Sequence, residues 1–270
     1  MSDHHDDTTP ADSDAGPLAR MRDKSMGFWE HLEELRGTLI KSLLAFVICA
    51  ALIGYFAKEF NEVLKWPLTS EAAKDPSIDV KLGVQSIMEV FTILIQLCVF
   101  GGLGVASPFI LFFIAQFVSP ALTERETKAV VPMCVSAMVL FLLGAAFAFF
   151  LLMPSTIKVA SWLGNEFGFE NRWTAGNYYS TLTWLTVGSG AVFEFPLVLV
   201  LLVWLGVIST AFLRKYRRHA IVVIFIIAAI VTPTPDPFTQ TLFAAPLYLL
   251  FEISILVSAR IEKKRAAKAT

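Results

Sequence analysis

Six apolar segments, each bounded by charged residues, Pro or Gly, follow a polar amino-terminal region in this chain. Residues 90–123 and 129–157 contain no charged side chain, and each stretch exceeds the roughly 20 residues that a helix needs to cross a bilayer. The pattern predicts an all-α integral membrane protein with six transmembrane helices, near residues 38–58, 88–118, 130–154, 178–205, 217–232 and 240–258. The fifth and sixth segments are short, because about 16 residues of helix rise only about 24 Å, less than the hydrocarbon thickness of about 30 Å.

The two ends of the chain differ from this apolar region. Residues 1–25 are rich in Asp and have no apolar core, so we expect a disordered acidic tail. Residues 26–258 form the predicted membrane domain, and the domain opens with a short amphipathic helix whose apolar positions recur at helical spacing. Residues 259–270 form a basic tail.

Composition and charge support the membrane assignment. The chain of 270 residues is 56% hydrophobic and 17% charged, whereas soluble domains carry about 25% charged residues. Sixteen of the 22 Lys and Arg residues fall in the amino-terminal region, the second and fourth loops and the carboxyl tail, which share one side. By the positive-inside rule both termini are cytoplasmic, in a cell (plasma or inner) membrane. The net charge of −1 does not indicate a nucleic-acid partner.

Motifs for bound cofactors are missing from the sequence. It contains neither a phosphate-binding G-x-x-x-x-G-K-[ST] loop nor a G-x-G-x-x-G turn. Cys49, Cys98 and Cys134 all lie in apolar segments, without a C-x-x-C neighbour or a His at metal-ligand spacing. We therefore expect no enzymatic activity, no cofactor and no metal site.

Glu194 is the single charged side chain between Trp173 and Arg214. A carboxylate at mid-membrane costs on the order of 3 kcal/mol unless it is protonated, paired or hydrated, so such residues are functional by default. Pro196 follows closely, which predicts a bent helix. Glu194 can mark a pathway, a partner surface or a local distortion of the bilayer, or it can be the proton site of a secondary transporter. The spans offer few other polar groups, which argues against a small-solute carrier.

Acidic residues also flank the spans on the predicted cytoplasmic side. Glu33 and Glu34 precede the first span, and Glu124 and Glu126 lie in the loop between the second and third. Carboxylates at two separate places can each hold a guanidinium group through paired hydrogen bonds, a geometry that favours Arg over Lys. The alternative is that these are ordinary solvated charges beside a membrane.

Five stretches of the sequence resemble, in order and spacing, the TatC family, the receptor and core subunit of the twin-arginine protein translocase. They are His31–Arg36; Ser107-Pro108-Phe109 with Phe117–Leu122 and Glu126; Phe193–Pro196; Thr232–Asp236 with Gln240; and Phe251-Glu252-Ile253. Together they cover residues 26–258. The acidic leader is not part of the family pattern, and the turn 232–236 is one residue longer than its common form.

The resemblance implies a concave, glove-like bundle that binds the twin-arginine signal peptides of folded precursor proteins. It also implies single-span partner subunits of the TatA/TatB type, a complex containing further copies of this chain, and export driven by the proton gradient. Carried over by position, the signal-peptide site comprises Glu34, Leu35, Arg36, Pro108, Phe117 and Glu126. The intramembrane and partner site comprises Glu194, Thr234, Asp236 and Gln240.

Overall fold

The computed structural model describes residues 28–76, 78–118, 124–169 and 173–269, and most of these residues are helical. The predicted acidic tail, residues 1–25, lies outside the described residues. The helices are α1 (Phe28–Tyr55), α2 (Ala57–Leu64), α3 (Trp66–Ala72), α4 (Ile87–Val118), α5 (Glu124–Phe147), α6 (Met153–Glu166), α7 (Ala175–Phe193), α8 (Phe195–Trp204), α9 (Thr210–Lys215), α10 (Arg217–Val231) and α11 (Pro237–Ala269). A π-helical turn, Ala148–Leu152, joins α5 to α6.

Within the described residues, five helical stretches are long and apolar enough to cross a membrane. They are Leu32–Tyr55, Ile87–Ile114, Pro132–Glu166, Ala175–Trp204 and Pro237–Lys264. The prediction of an all-helical, multi-pass membrane protein is therefore confirmed. The fifth predicted segment is helix α10, whose 15 residues rise only about 22 Å.

The ends of the predicted segments differ from the helices in two places. The prediction that the sixth segment is short is wrong, because α11 has 33 residues and continues through the basic tail to Ala269. The predicted amphipathic helix is not separate from the first span, because α1 runs unbroken from Phe28 to Tyr55. Helix α1 contains no Pro. Helix α11 contains Pro246 in its interior, and the backbone stays helical there.

Helix α1 packs along α4 at a distance set by glycine. A Cβ atom at Gly102 would lie 2.7 Å from the Cα atom of Ala50, and one at Gly54 would lie 3.2 Å from Cys98 Sγ. Residue numbers rise along α1 as they fall along α4, so the two helices are antiparallel. Small residues permit this approach of two backbones within a membrane.

Helices α5 and α7 form a second close pair. A Cβ atom at Gly144 would lie only 2.6 Å from the backbone oxygen of Ser189. Beside this contact, the rings of Phe147, Phe193 and Phe243 lie with centroids 5.8–6.5 Å apart. This aromatic cluster joins α5, α7 and α11 in the buried core.

The chain segments that lead into α4 and α7 are hydrogen-bonded to each other at the amino-terminal ends of these helices. Gly83 N donates to Trp173 O at 2.9 Å, and Ala175 N donates to Gly83 O at 2.8 Å. The carboxylate of Glu89 accepts one hydrogen bond from Gly176 N at 2.8 Å and another from Gln85 N at 2.6 Å. A carboxylate at two helix amino termini satisfies backbone donors that have no partner within the helix. These bonds fix α4 and α7 relative to each other at this end.

Candidate functional site

Glu34 lies on α1 and is half-buried. Its Oε2 atom is buried and has no hydrogen-bond partner among the described residues. Leu35 and Arg36, which follow it, are both exposed. A buried carboxylate oxygen with no donor among the described residues is unusual, because buried polar groups are normally hydrogen-bonded.

The antiparallel register of α1 and α4 places Glu34 level with the end of α4. Ala50 lies against Gly102. Glu34 precedes Ala50 by 16 residues, about 24 Å of helix, and Phe117 follows Gly102 by 15 residues, about 23 Å. Glu34 and the half-buried Phe117 therefore lie at the same end of the helix pair.

Two further residues of the predicted signal-peptide site have different positions. Glu126 lies in the first turn of α5, shortly after α4 ends in the chain, and its side chain is outside the described part. Pro108 lies inside α4, nine residues before Phe117, or about 14 Å away along the axis. The structure thus brings Glu34, Leu35 and Phe117 to one level and leaves Pro108 deeper in the helix.

Glu194 stands where the fourth predicted span is broken. Helix α7 ends at Phe193 and α8 begins at Phe195, with Pro196 in its first turn. Glu194 is the junction between the two helices, and its own backbone stays in the right-handed helical region, so the predicted bend stays a prediction. The side chain is half-buried, and its Oε1 atom has no hydrogen-bond partner within the described part of the chain. The close contact of α5 with α7 at Gly144 and Ser189 lies just before the break and holds it in place.

The turn between α10 and α11 carries the other predicted partner residues. Asp236 Oδ1 accepts a hydrogen bond of 2.7 Å from Thr239 N. Gln240 Nε2 donates to Phe225 O at 3.1 Å, which ties α11 to α10. Thr234 Oγ1 and Asp236 Oδ2 are both buried, and the hydroxyl groups of Thr234 and Thr239 interact with the Asp236 carboxylate.

The pKa of Asp236 reflects two opposing causes. Burial acts to raise it, but the hydrogen bond from the Thr239 backbone N–H stabilises the carboxylate, and the net result is a pKa below the ordinary value for Asp. Asp236 is therefore ionised at neutral pH and gives the turn a fixed negative charge beside the amino terminus of α11, where the helix dipole favours it.

Sequence reasoning missed two residues at this turn. Thr239 is fully buried, and its side chain interacts with the Asp236 carboxylate. Trp184 of α7 donates through Nε1 to Val231 O at 3.1 Å, at the last residue of α10. The pair Asp236-Pro237 could have indicated the first of these, since Asp at the N-cap and Pro at the first helical position mark a helix start.

A second missed group is an ion pair between α10 and α11. Arg217 Nη2 lies 2.9 Å from Glu252 Oε2, and Tyr248 OH donates to Glu252 Oε1 at 3.1 Å. Arg217 is the first residue of α10, and Glu252 lies within α11. Their pairing requires the two helices to be adjacent, which no spacing along one helix reveals.

These features define a class: an all-helical, multi-pass membrane protein with acidic groups at its helix ends and a carboxylate at a helix break inside the membrane. The family described as Sec-independent protein translocase protein (TatC) matches residues 30–246. The chain therefore belongs to the TatC family, as the motifs indicated.

Individual relatives cover nearly the whole chain. The Sec-independent protein translocase protein TatC of Aquifex aeolicus (strain VF5) is 38% identical over 247 residues, which are 90% of this chain and 100% of the relative. The TatC of Escherichia coli (strain K12) is 33% identical over 84% of this chain and 86% of its own length. A crystal structure of the twin-arginine translocase receptor TatC in DDM is similar with a TM-score of 0.71 and 38% identity, covering 85% of this chain and 99% of that one.

Membership of this family makes the chain a component of the Sec-independent protein translocase. Protein translocation, rather than small-solute transport, is accordingly its function. The proton-coupled carrier reading of Glu194 is not favoured by these relatives.

Proposed function

We propose that this protein is the membrane core and receptor of a twin-arginine translocase. It binds the twin-arginine signal peptides of folded precursors and organises single-span partner subunits for export driven by the proton gradient. The solved structure described as a twin-arginine translocase receptor supports this proposal, because its likeness extends over 85% of this chain.

The proposed topology has six transmembrane helices in a concave, glove-like bundle, with both termini cytoplasmic in the plasma or inner membrane. Helix α10 is the fifth span in this proposal. It packs against α11 and α7, and its 15 residues would require the bilayer to thin locally. The basic residues at its start, Arg217 and Arg218, match the positive-inside pattern on the cytoplasmic side.

Signal-peptide recognition is proposed at the end of α1. The observation that carries it is the buried, partnerless Oε2 atom of Glu34 at the level of Phe117. One arginine of the peptide would meet Glu34, the other would meet Glu126, and the apolar stretch would follow Leu35 and Phe117. Arg36 would then border the groove. Pro108, deeper in α4, would act by bending that helix.

Glu194 and the outer turn are proposed to handle later steps. The half-buried carboxylate at the α7–α8 break would contact a partner helix or the inserted signal hairpin. Thr234, Asp236 and Gln240 would dock partner helices of the TatA/TatB type, since they gather an ionised carboxylate and polar side chains at one turn. Several copies of the chain would assemble in one complex, within a lipid bilayer.

Precursor binding by purified variants tests the recognition proposal. Glu34→Gln keeps the shape of the side chain and removes its charge, and charged hydrogen bonds are worth about 1.5–3 kcal/mol, so binding should weaken roughly 10-fold or more. Glu33→Gln, at the exposed neighbouring position, is the matched control and should bind within about twofold of wild type. Photo-cross-linking from position 126 to the precursor tests the second acid in the same preparation.

Normal precursor binding by both Glu34→Gln and Glu126→Gln would remove the proposal. Equal losses in Glu33→Gln and Glu34→Gln would show that general negative charge, and not a specific site, attracts the peptide.

A further inference from the structure

A groove between α5, α8 and α11 has no role in the function proposed above. Its volume is about 540 Å³, and it is open at one side. Leu140 of α5, Val200 of α8 and Ile253 of α11 are typical of its walls. The groove runs along these three helices toward the end of α11.

The polar atoms of the groove walls are already satisfied. Ser136 Oγ donates to Pro132 O at 2.8 Å, and Ser254 Oγ donates to Phe251 O at 2.7 Å. Each hydroxyl is thus bonded to the backbone of its own helix, as is common for Ser in membrane helices. The groove walls therefore offer no unsatisfied hydroxyl group and favour an apolar occupant.

One charged side chain, Lys264, lines the groove, and all the lining residues lie within the described part of the chain. It is exposed and lies in the last turns of α11. Trp204, at the end of α8, also lines the groove. Lys and Trp together are typical of the membrane–water interface, where a Lys stem follows the apolar surface and its ammonium group reaches the headgroups.

We propose that this groove binds an anionic phospholipid, with one acyl chain along the three helices and the phosphate group paired with Lys264. Charge complementarity selects the headgroup, because the lining offers one cation and no anion. The volume of the groove favours an acyl chain over a protein helix as the occupant. A helix about 10 Å wide would fill the same volume over a length of only about 7 Å, whereas a flexible acyl chain can follow the groove along its length.

Fluorescence quenching by brominated lipids tests this site in the full-length protein. The contribution of Trp204 is the difference between the wild type and Trp204→Phe. Phosphatidylglycerol with brominated acyl chains should quench that contribution at lower concentrations than brominated phosphatidylcholine. Lys264→Ala should weaken the phosphatidylglycerol effect about fivefold, because it removes the charge-assisted contact with the bound phosphate, whose strength water reduces at this exposed position, and it should leave phosphatidylcholine unchanged.

Two variants complete the design. Lys263→Ala, an exposed neighbour that does not line the groove, is the charge-matched control and should quench like wild type. Ser136→Phe fills the groove and should abolish quenching of Trp204 by both lipids. Glycerol phosphate, a headgroup without chains, should not compete, which separates a lipid site from a simple phosphate site.

Equal quenching by the two lipids in the wild type, or equal effects of Lys263→Ala and Lys264→Ala, would overturn the proposal. Absence of any quenching of Trp204 in the wild type would do the same, and would show that a protein helix or another part of the chain covers the groove.

Discussion

The contact of Gly102 with Ala50 sets the level of Glu34 relative to α4. Adding one methyl group, in Gly102→Ala, tests this contact. In Gly102→Ala the new Cβ atom would lie 2.7 Å from Ala50 Cα and 2.8 Å from Ala50 N. Ordinary van der Waals contact begins near 3.4 Å, so α1 and α4 would have to separate by about 0.7 Å. Gly104, two residues further along the same helix, has no atom within 4 Å of its ideal Cβ position.

The magnitudes of the two substitutions follow from this geometry. Overpacking costs typically 1–3 kcal/mol, and replacing Gly by Ala inside a helix contributes up to about 1 kcal/mol of stability. Gly102→Ala should therefore destabilise the protein by up to about 2 kcal/mol. Gly104→Ala should be neutral or stabilising by up to about 1 kcal/mol, because it gains the helix term without the clash.

Thermal unfolding of the purified protein in one detergent measures both variants, and precursor binding measures the consequence for the site. We expect a lower midpoint and weaker binding for Gly102→Ala, because α1 carries Glu34. Gly104→Ala should match or exceed the wild type in both measurements. If the two variants unfold and bind alike, α1 and α4 do not approach closely at Ala50, and the register that places Glu34 beside Phe117 is wrong.

Three further sets of substitutions test other contacts. Asp236→Ala removes the acceptor for Thr239 N, which should cost about 1 kcal/mol of stability. Because folding lowers the pKa of Asp236, this stability is present above the unfolded pKa of about 3.9 and is lost as the pH falls through the folded pKa. A stability difference between variant and wild type that persists undiminished in strong acid would contradict this. Glu252→Gln should lower stability by about 0.2–1 kcal/mol. The double variant Arg217→Glu, Glu252→Arg exchanges the two charges and should restore the stability of the wild type. If it does not, the two residues do not act as a pair. Glu194→Leu should reduce export at least about tenfold at normal expression, and Glu194→Gln should retain more; equal export by wild type and Glu194→Leu would remove the polar role of this residue.

The membrane class and the main helices could be predicted because their cause is local. Long uncharged stretches such as 90–123 leave a helix as the form that satisfies every backbone group in lipid. A bend near Glu194 was predicted on a local basis too, since Pro196 cannot donate a backbone hydrogen bond. The helix ends were less so: α11 continues to Ala269 because its basic residues are good helix formers, which a hydropathy pattern does not register.

The contacts that position the sites could not be predicted, because they join residues far apart in the chain. Glu89 binds the backbone of Gly176 across 87 residues, and Trp184 binds Val231 O across 47. The position of Glu34 could not be predicted either, because its sequence context indicates only a charge beside a membrane. Its level relative to Phe117 follows only from the packing of Gly102 against Ala50.

The most direct measurement of the proposed recognition compares a twin-arginine signal peptide with its twin-lysine counterpart, on the wild type and on Glu34→Gln. Paired hydrogen bonds from a planar guanidinium to Glu34 predict that the wild type binds the arginine peptide roughly 10-fold or more tightly, and that this preference shrinks sharply in the variant. Equal affinity of the wild type for the two peptides would contradict recognition of arginine by this acid.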